Sequence, residues 1–206
     1  GGFAAFDINN TYHYLNEIPF ADHGALIDPP TSDVTARCIG FLGKYGKQAH
    51  QNAVYRGVSF LLREQEANGA WFGRWGTNYI YGTWSVLEAM QLAKQDMKHT
   101  AVRRAVQWLK SVQREDGGWG ESNDSYLDPK LAELETSTAF QTAWALLGLM
   151  AAGEIKSESV RRGINYLLST QSSNHLWEEP WFTAPGFPRV FYLRYHGYSK
   201  FFPIWA

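Results

Sequence analysis

The sequence has one cysteine, no run of basic residues and no long uninterrupted apolar segment. Cys38 stands alone among 206 residues, so no disulfide can form within the chain, which fits a reducing compartment. The formal net charge is -1 and no lysine or arginine run occurs, which argues against a nucleic-acid partner. The most apolar stretch, Ala139–Gly153, contains Gln141 and Thr142 and is too short to span a bilayer. We therefore expect a soluble chain.

Patterns that hold metals are also missing. The six histidines are scattered, and neither His-x-x-x-His nor Cys-x-x-Cys spacing occurs. The acidic residues from Asp116 to Glu135 are typical of a solvated loop rather than of an acid–base pair. We therefore expect no metal site.

Aromatic residues, by contrast, are abundant. The chain has 9 Trp, 11 Tyr and 12 Phe, together 16% of its residues. Such a surplus serves either core packing or a site that binds sugars, flat hydrocarbons or cations through ring faces. Composition alone leaves both readings open.

One motif occurs three times. Each copy has an Arg, an aromatic-Leu pair, a Gln four residues after that Leu, and a Trp six residues after the Gln. The residue two before the Trp is Gly69 or Gly117 in the first two copies and His175 in the third. The opening Gly1-Gly2-Phe3 matches this register, so we expect the chain to begin inside a larger protein. The Gln and Trp pairs are Gln65 and Trp71, Gln113 and Trp119, and Gln171 and Trp177.

Helical periodicity links the copies. It predicts motif helices that alternate with helices of a second kind, in two layers, with no segment of strand periodicity. Within a copy, Gln ends a helix, Gly permits a turn of positive φ and Trp returns to pack, which favours a structural role over a ligand site. The predicted motif helices are Ala53–Glu66, Thr100–Arg114 and Ser157–Thr170, and the others are Thr31–Tyr45, Tyr79–Ala93, Glu135–Ala152 and Phe187–Phe201.

These copies resemble the QW repeats of triterpene cyclases. Residues 28–37, 71–82 and 186–198 narrow the resemblance to bacterial squalene-hopene cyclases. The resemblance covers 1–206 and implies an all-α fold, namely part of an α/α barrel (toroid) of alternating inner and outer helices. It implies the C-terminal part of a catalytic domain that cyclises squalene to hopanoids, without a cofactor. It also implies a parent protein on the cytoplasmic face of the bacterial membrane, with a homodimer as one possible assembly.

The resemblance places the reaction's general acid outside this chain. In the family, an Asp-x-Asp-Asp motif protonates a terminal alkene, and no such motif occurs in 1–206. We therefore expect no catalytic residue here and no activity of the chain alone. The resemblance assigns Asp28, Asp33 and Arg37 to the groups that support the acid. The simpler interpretation is an ion pair between Asp33 and Arg37, which lie four residues apart near a helix start. Arg37 would stay charged, so it would orient the acid but not relay protons.

Aromatic residues at spacings of four, four and three predict one stripe along a helix, which is usually core packing. The resemblance instead places this stripe on the wall of the substrate cavity, where each ring would stabilise a cation by about 0.5–2 kcal/mol. For Tyr81, packing beneath a loop is the alternative. The stripe consists of Phe187, Phe191, Tyr195 and Tyr198, and the resemblance adds Phe6, Phe20, Trp75 and Tyr81 to the cavity.

Other protein classes remain alternatives. An α/α-barrel glycoside hydrolase would use aromatic rings as sugar platforms, but it needs a positioned pair of carboxylates that the sequence does not single out. A zinc-dependent prenyltransferase subunit needs a Cys, His and Asp ligand set that Cys38 does not complete. A non-catalytic helical scaffold would need none of these.

Overall fold

A computed structural model describes residues 1–6, 12–20, 23 and 26–206, and within them the chain forms seven α-helices and four short strands. The helices are α1 (Ser32–Tyr45), α2 (Gln51–Arg63), α3 (Tyr79–Leu92), α4 (Thr100–Ser111), α5 (Ala139–Ala151), α6 (Glu158–Thr170) and α7 (Tyr198–Trp205). The strands are β1 (Trp119–Glu121), β2 (Glu133–Thr138), β3 (Ala184–Phe187) and β4 (Phe191–Leu193). β1 pairs with β2 and β3 with β4, both antiparallel. No described helix combines the length and the apolar character needed to cross a bilayer.

The helices form two layers. In the inner layer α1 packs on α3, α3 on α5 and α5 on α7, while α2, α4 and α6 of the outer layer pack on α1, α3 and α5. α3 and α5 are buried over most of their surface, as a layer covered on both sides requires. The outer helices bury one apolar stripe each. The predicted alternation of two kinds of helix is confirmed.

Tryptophan dominates the core. Trp71, Trp84, Trp119 and Trp144 are fully buried. Trp84 on α3 and Trp144 on α5 stack with ring centroids 6.0 Å apart, which joins two inner helices through flat ring faces. Much of the aromatic surplus is therefore packing.

The first motif copy ties the outer helix α2 to the next outer helix, α4. Gln65 donates from Nε2 to the carbonyl oxygens of Gly69 and Ala101, both at 2.8 Å, and Ala101 lies in the first turn of α4. Trp71 turns back and donates from Nε1 to Leu61 O at 2.7 Å. Arg104, the first motif residue of the following copy, donates to Glu66 O and Ala67 O. These hydrogen bonds hold the end of α2 and its turn to α4, and we call the set of them a brace.

The second copy repeats this brace, and the third repeats the bonds within its own helix and turn. Gln113 bonds Gly117 O and Ser159 O, and the indole of Trp119 donates to Leu109 O at 2.8 Å. In the third copy Gln171 donates to His175 O, and Trp177 donates to Leu167 O at 3.0 Å.

Phe3 occupies the Trp position of a further copy. Its backbone N–H donates to Thr35 Oγ1 at 2.8 Å, just as Trp71 N–H donates to Thr83 Oγ1 at 3.0 Å. Trp119 N–H makes the same bond to a threonine at 2.9 Å. The register read from Gly1-Gly2-Phe3 therefore corresponds to a shared local structure.

The turn before each motif Trp is left-handed. Gly117 has φ 91°, and a Cβ there would lie 2.7 Å from Arg162 O, so glycine is needed on both counts. His175 adopts φ 62° at the equivalent place in the third copy. The departure from glycine therefore preserves the turn but places a side chain in a disfavoured backbone region.

Two segments predicted as helix contain strands instead. Residues 135–138 belong to β2, and α5 begins only at Ala139, with Thr138 as its N-cap. The predicted helix Phe187–Phe201 is wrong before Tyr198, because β3 and β4 form a hairpin. Pro188 lacks a backbone N–H and Arg189 takes φ 71°, so the chain reverses there. The expectation that no strand would occur is thus wrong at two small sheets.

Candidate functional site

Asp33 holds the turn that carries Trp75. This carboxylate lies in the first turn of α1 and is 1% exposed. Its Oδ2 accepts the backbone N–H of Arg74 at 3.0 Å and of Trp75 at 2.7 Å, and its Oδ1 accepts the Thr31 hydroxyl at 2.6 Å. The start of α1 is thereby fixed to the loop that leads into α3.

Arg74 links this turn to Asp28 and to the β3–β4 hairpin. Its Nε lies 3.8 Å from Asp28 Oδ1, and its guanidinium donates to Gly186 O at 3.4 Å. The same group lies 4.5 Å from the ring centroid of Trp75 and 5.9 Å from that of Phe187. Burial lowers the pKa of Arg74, and the charge of Asp28 offsets part of that shift. An arginine remains cationic in proteins nonetheless.

Arg37 does not pair with Asp33, so the simpler interpretation, an ion pair between these two residues, is wrong. Its Nη1 lies 3.0 Å from Glu88 Oε2 on α3. Its guanidinium also lies 4.2 Å from the ring centroid of Trp84 and 5.8 Å from that of Tyr81. The reason is that Asp33 Oδ2 already accepts two N–H groups of the neighbouring loop and Oδ1 accepts the Thr31 hydroxyl, whereas the long Arg37 side chain reaches the next inner helix.

Phe187 and Phe191 face each other across the hairpin. They are register partners, and their ring centroids lie 5.5 Å apart. The His23 ring lies 5.1 Å from Phe187 and 6.0 Å from Phe191. The predicted helical stripe is therefore wrong in form, although the structure does bring its first two rings together.

The other two stripe residues lie elsewhere. Tyr195 and Tyr198 form their own pair at 5.2 Å. Tyr198 packs against Phe140, Trp144 and Phe202 at the α5–α7 contact, so its ring belongs to the core. Tyr195 is exposed.

The remaining predicted cavity residues differ in exposure. Tyr81 packs beneath the Gly73–Gly76 loop and edge-on to Trp144 at 5.1 Å, which favours the packing alternative. Phe20 is 84% exposed and Phe6 48% exposed, so within this chain both present ring surface to the outside. Trp75 is half-buried.

Two carboxylates that sequence reasoning missed lie at the starts of inner helices. Glu121 accepts the backbone N–H groups of Asn78, Tyr79 and Ile80 at 3.0–3.2 Å. Its complete burial raises its pKa, while these three bonds act in the opposite direction. Glu179 accepts the N–H of Ala139 at the start of α5, and burial raises the pKa of Glu179 to about 7.

A sequence signal for these carboxylates existed. Glu121 and Glu179 each stand two residues after a motif Trp. Arg74, also missed as a site residue, stands between Gly73 and Trp75 in one of the stretches that carries the family resemblance. Metal ligation gains no support, because no three His, Cys, Asp or Glu side chains cluster suitably in the described part of the chain.

The site thus combines a fixed charged network with ring faces. Asp28, Asp33 and Arg74 are held by backbone groups and by one another. Trp75 and Phe187 lie against the Arg74 side of that network. Such an arrangement can tune a neighbouring acid and stabilise positive charge on an apolar ligand.

Comparisons with known proteins agree with this picture. The family model described as squalene-hopene cyclase C-terminal domain matches residues 1–206. A probable squalene-hopene cyclase of Sinorhizobium fredii is 60% identical over 100% of the chain, and a squalene-hopene cyclase of Zymomonas mobilis is 58% identical over 100%. The chain spans 32% of the length of each.

Solved structures agree on the fold. The type II terpene cyclase MstE from Scytonema superposes with a TM-score of 0.57 at 20% identity, covering 78% of this chain and 41% of that one. An ent-copalyl diphosphate synthase from Streptomyces platensis gives 0.58 at 22% identity, covering 70% and 28%. Type II cyclases have α/α-barrel folds, and the two helical layers are part of such a barrel. The chain belongs to the squalene-hopene cyclase family and corresponds to its C-terminal domain.

Proposed function

We propose that this chain forms one part of an enzyme that cyclises squalene to hopanoids by a protonation-initiated carbocation cascade. The observation that carries the proposal is the contact of the Asp28–Arg74–Asp33 network with the rings of Trp75 and Phe187. A squalene chain offers no group for hydrogen bonding, so its recognition depends on apolar and aromatic surface. The cations formed along the chain need ring faces that are not themselves nucleophiles.

The first step is a proton transfer to carbon. A carboxylic acid supplied by the remainder of the protein adds its proton to the terminal double bond of squalene, whose π electrons form the new C–H bond. The tertiary cation that results is attacked by the next double bond, and each ring closure moves the positive charge onward. Proton loss or capture of water ends the cascade. No cofactor takes part in this scheme.

Asp28, Asp33 and Arg37 support the acid in this proposal. Asp33 is held by three donors, so its position is fixed before the substrate binds. Arg37 keeps a permanent charge beside Trp84 and Tyr81, which suits electrostatic tuning but not proton relay. Phe6, Phe20, Tyr81, Phe191, Tyr195 and Tyr198 stay in the proposal as candidate cavity residues; those exposed here would be covered by other parts of the enzyme.

The setting of the whole enzyme is part of the same proposal. Squalene is borne by lipid, so we infer that the enzyme binds the cytoplasmic face of the membrane peripherally. A homodimer of the parent protein stays a prediction.

The test uses a chimera in which this chain replaces the matching region of the Zymomonas mobilis cyclase. With squalene, we expect cyclised hydrocarbons by gas chromatography–mass spectrometry, and none from the isolated chain because the acid is missing. Asp33→Asn should lower kcat/KM about 100-fold, since the amide cannot accept bonds from all the present donors.

The matched control is Glu158→Gln, which alters an exposed acid that is also in the first turn of a helix. It should leave kcat/KM within twofold, and circular dichroism should show that both variants fold. Two results would contradict the proposal: a folded chimera that leaves squalene unchanged, or cyclised product from the isolated chain.

A further inference from the structure

The short 3-10 helix Asn123–Tyr126 lies between the two segments that carry the site's aromatic rings. We call it the bridge helix. On one side is the glycine turn, residues Gly73–Asn78, which carries Trp75. On the other is the β3–β4 hairpin, which carries Phe187 and Phe191.

Three bridge-helix residues bond the glycine turn. The hydroxyl of Tyr126 lies 2.6 Å from Gly73 O and 3.0 Å from Gly76 O, so both carbonyl oxygens are within reach of its single proton. Asn78 Nδ2 donates to Ser125 Oγ at 3.2 Å. Asn123 Oδ1 accepts the hydroxyl of Thr77 at 2.6 Å. The turn is therefore fixed by Asp33 on one side and by the bridge helix on the other.

The same helix holds the hairpin. Arg189, in the hairpin turn, donates from Nε to Tyr126 O at 2.7 Å. The ring of Tyr192 on β4 lies over the Tyr126 ring, with centroids 6.1 Å apart and planes inclined by 24°. The Tyr192 hydroxyl also donates to Asn123 O at 3.3 Å. Tyr126 thus contacts the glycine turn through its hydroxyl, and the hairpin through its ring and its carbonyl.

The buried Tyr126 hydroxyl keeps its proton in this position. The side chain is 4% exposed, and burial raises its pKa well above the ordinary tyrosine value, with the charge of Glu121 adding to the shift. The hydroxyl therefore keeps its proton and remains a donor to the turn. Outside the bridge helix, Arg74 of the glycine turn donates to Gly186 O of the hairpin at 3.4 Å, and Thr77 of the turn donates to Thr183 O, just before the hairpin, at 3.0 Å.

We propose that Tyr126 is a positioning residue that sets the placement of Trp75 relative to Phe187 and Phe191, and thereby how far the cyclisation proceeds. This inference rests on the proposed function. Stabilisation of a cation by a ring depends on their distance. A displaced ring therefore leaves an intermediate cation exposed to early proton loss, and the product then has fewer rings.

Tyr126→Phe in the chimera tests this inference, because it removes the hydroxyl and keeps the ring on Tyr192. The matched control is Tyr166→Phe, which removes a hydroxyl that donates to the backbone oxygen of Ser137 at 2.8 Å, outside both segments. We expect Tyr126→Phe to raise the share of incompletely cyclised products at least threefold, and Tyr166→Phe to leave it unchanged. Equal product mixtures in the two variants would overturn the inference.

Hydrogen exchange supplies a readout that needs no activity. In Tyr126→Phe, the amides of Arg74 and Trp75 should exchange about fivefold faster, the factor expected from one lost hydrogen bond. Tyr166→Phe should leave them unchanged, and exchange of these amides within twofold of wild type in Tyr126→Phe would overturn the positioning role. If the unmutated chimera yields no cyclised product, the proposed function fails, while exchange still decides the role of Tyr126.

Discussion

Buried carboxylates recur where the loop after a motif Trp meets the start of an inner helix. Glu121 accepts backbone N–H groups at the start of α3, and Glu179 does so at the start of α5. At the start of α1 the arrangement is reversed: Asp33 lies on the helix and the loop donates the N–H groups. In that copy Gly73 stands where the others have Glu. At all three helix starts a buried carboxylate accepts backbone N–H groups and so fixes a loop to an inner helix. The carboxylate at the start of α1, Asp33, also belongs to the proposed site.

Glu179 makes stability depend on pH. Its pKa is raised from 4.5 to about 7 in the folded chain, so below pH 4.5 both folded and unfolded states hold the proton. Between about pH 4.5 and 7 the unfolded state releases it first, and the free energy of unfolding falls by about 3 kcal/mol as pH rises. Urea unfolding at several pH values measures this. Glu179→Gln should flatten the profile, while the exposed neighbour Glu178→Gln should keep it; an unchanged profile in Glu179→Gln contradicts the assignment.

At the scale of elements, the braces differ between copies. Gln113 donates to Gly117 O in its own turn and to Ser159 O in the first turn of α6, so it links the outer helices α4 and α6. Within the described residues Gln171 donates only to His175 O, which belongs to the turn that follows Gln171 itself. The second brace therefore carries a contact between repeats that the third lacks.

Gln113→Ala should lower the free energy of unfolding by about 1 kcal/mol more than Gln171→Ala, because it also removes the hydrogen bond to Ser159 O that links two outer helices. Urea unfolding of the two variants of the 206-residue chain measures the difference. Equal losses would mean that the bond from Gln113 to Ser159 contributes nothing to stability.

Sequence reasoning predicted the helices well and the hairpin badly. α1, α3 and α6 lie within a residue of their predicted bounds, because apolar periodicity and capping residues are local signals. Phe187 and Phe191 are four residues apart, which suits one helix face but equally suits partners across a three-residue turn. Pro188 favours the turn, because a proline has no backbone N–H to donate within a helix. The spacing alone could not show this.

Site contacts were harder to predict than elements. Asp33 and Arg37 have the spacing of a helical ion pair, yet two of the three donors to Asp33, the N–H groups of Arg74 and Trp75, are 41 and 42 residues away. Arg37 reaches Glu88, 51 residues away. Such pairings depend on how the layers pack, and no local pattern encodes them. The resemblance nevertheless selected Asp28, Asp33, Trp75 and Phe187, which Arg74 joins into one network.

At the scale of the whole molecule, the site lies where the inner helices begin. Asp33 opens α1, the glycine turn leads into α3, and the bridge helix fastens that turn to the β3–β4 hairpin. The outer helices and their Gln–Trp braces stay outside this network. The repeats therefore support the architecture, and under the proposed function the residues that face the substrate lie in loops at one end of the inner layer.

The measurement that tests this account most directly is the structure of the chimera with a squalene analogue in which an ammonium nitrogen replaces a cationic carbon. Such a compound mimics a carbocation intermediate and should bind where positive charge is stabilised. The account predicts the nitrogen within about 6 Å of the ring centroid of Trp75, Phe187 or Phe191. An ammonium group bound away from all three rings, with the hydrocarbon chain outside the space beside Arg74, would contradict it.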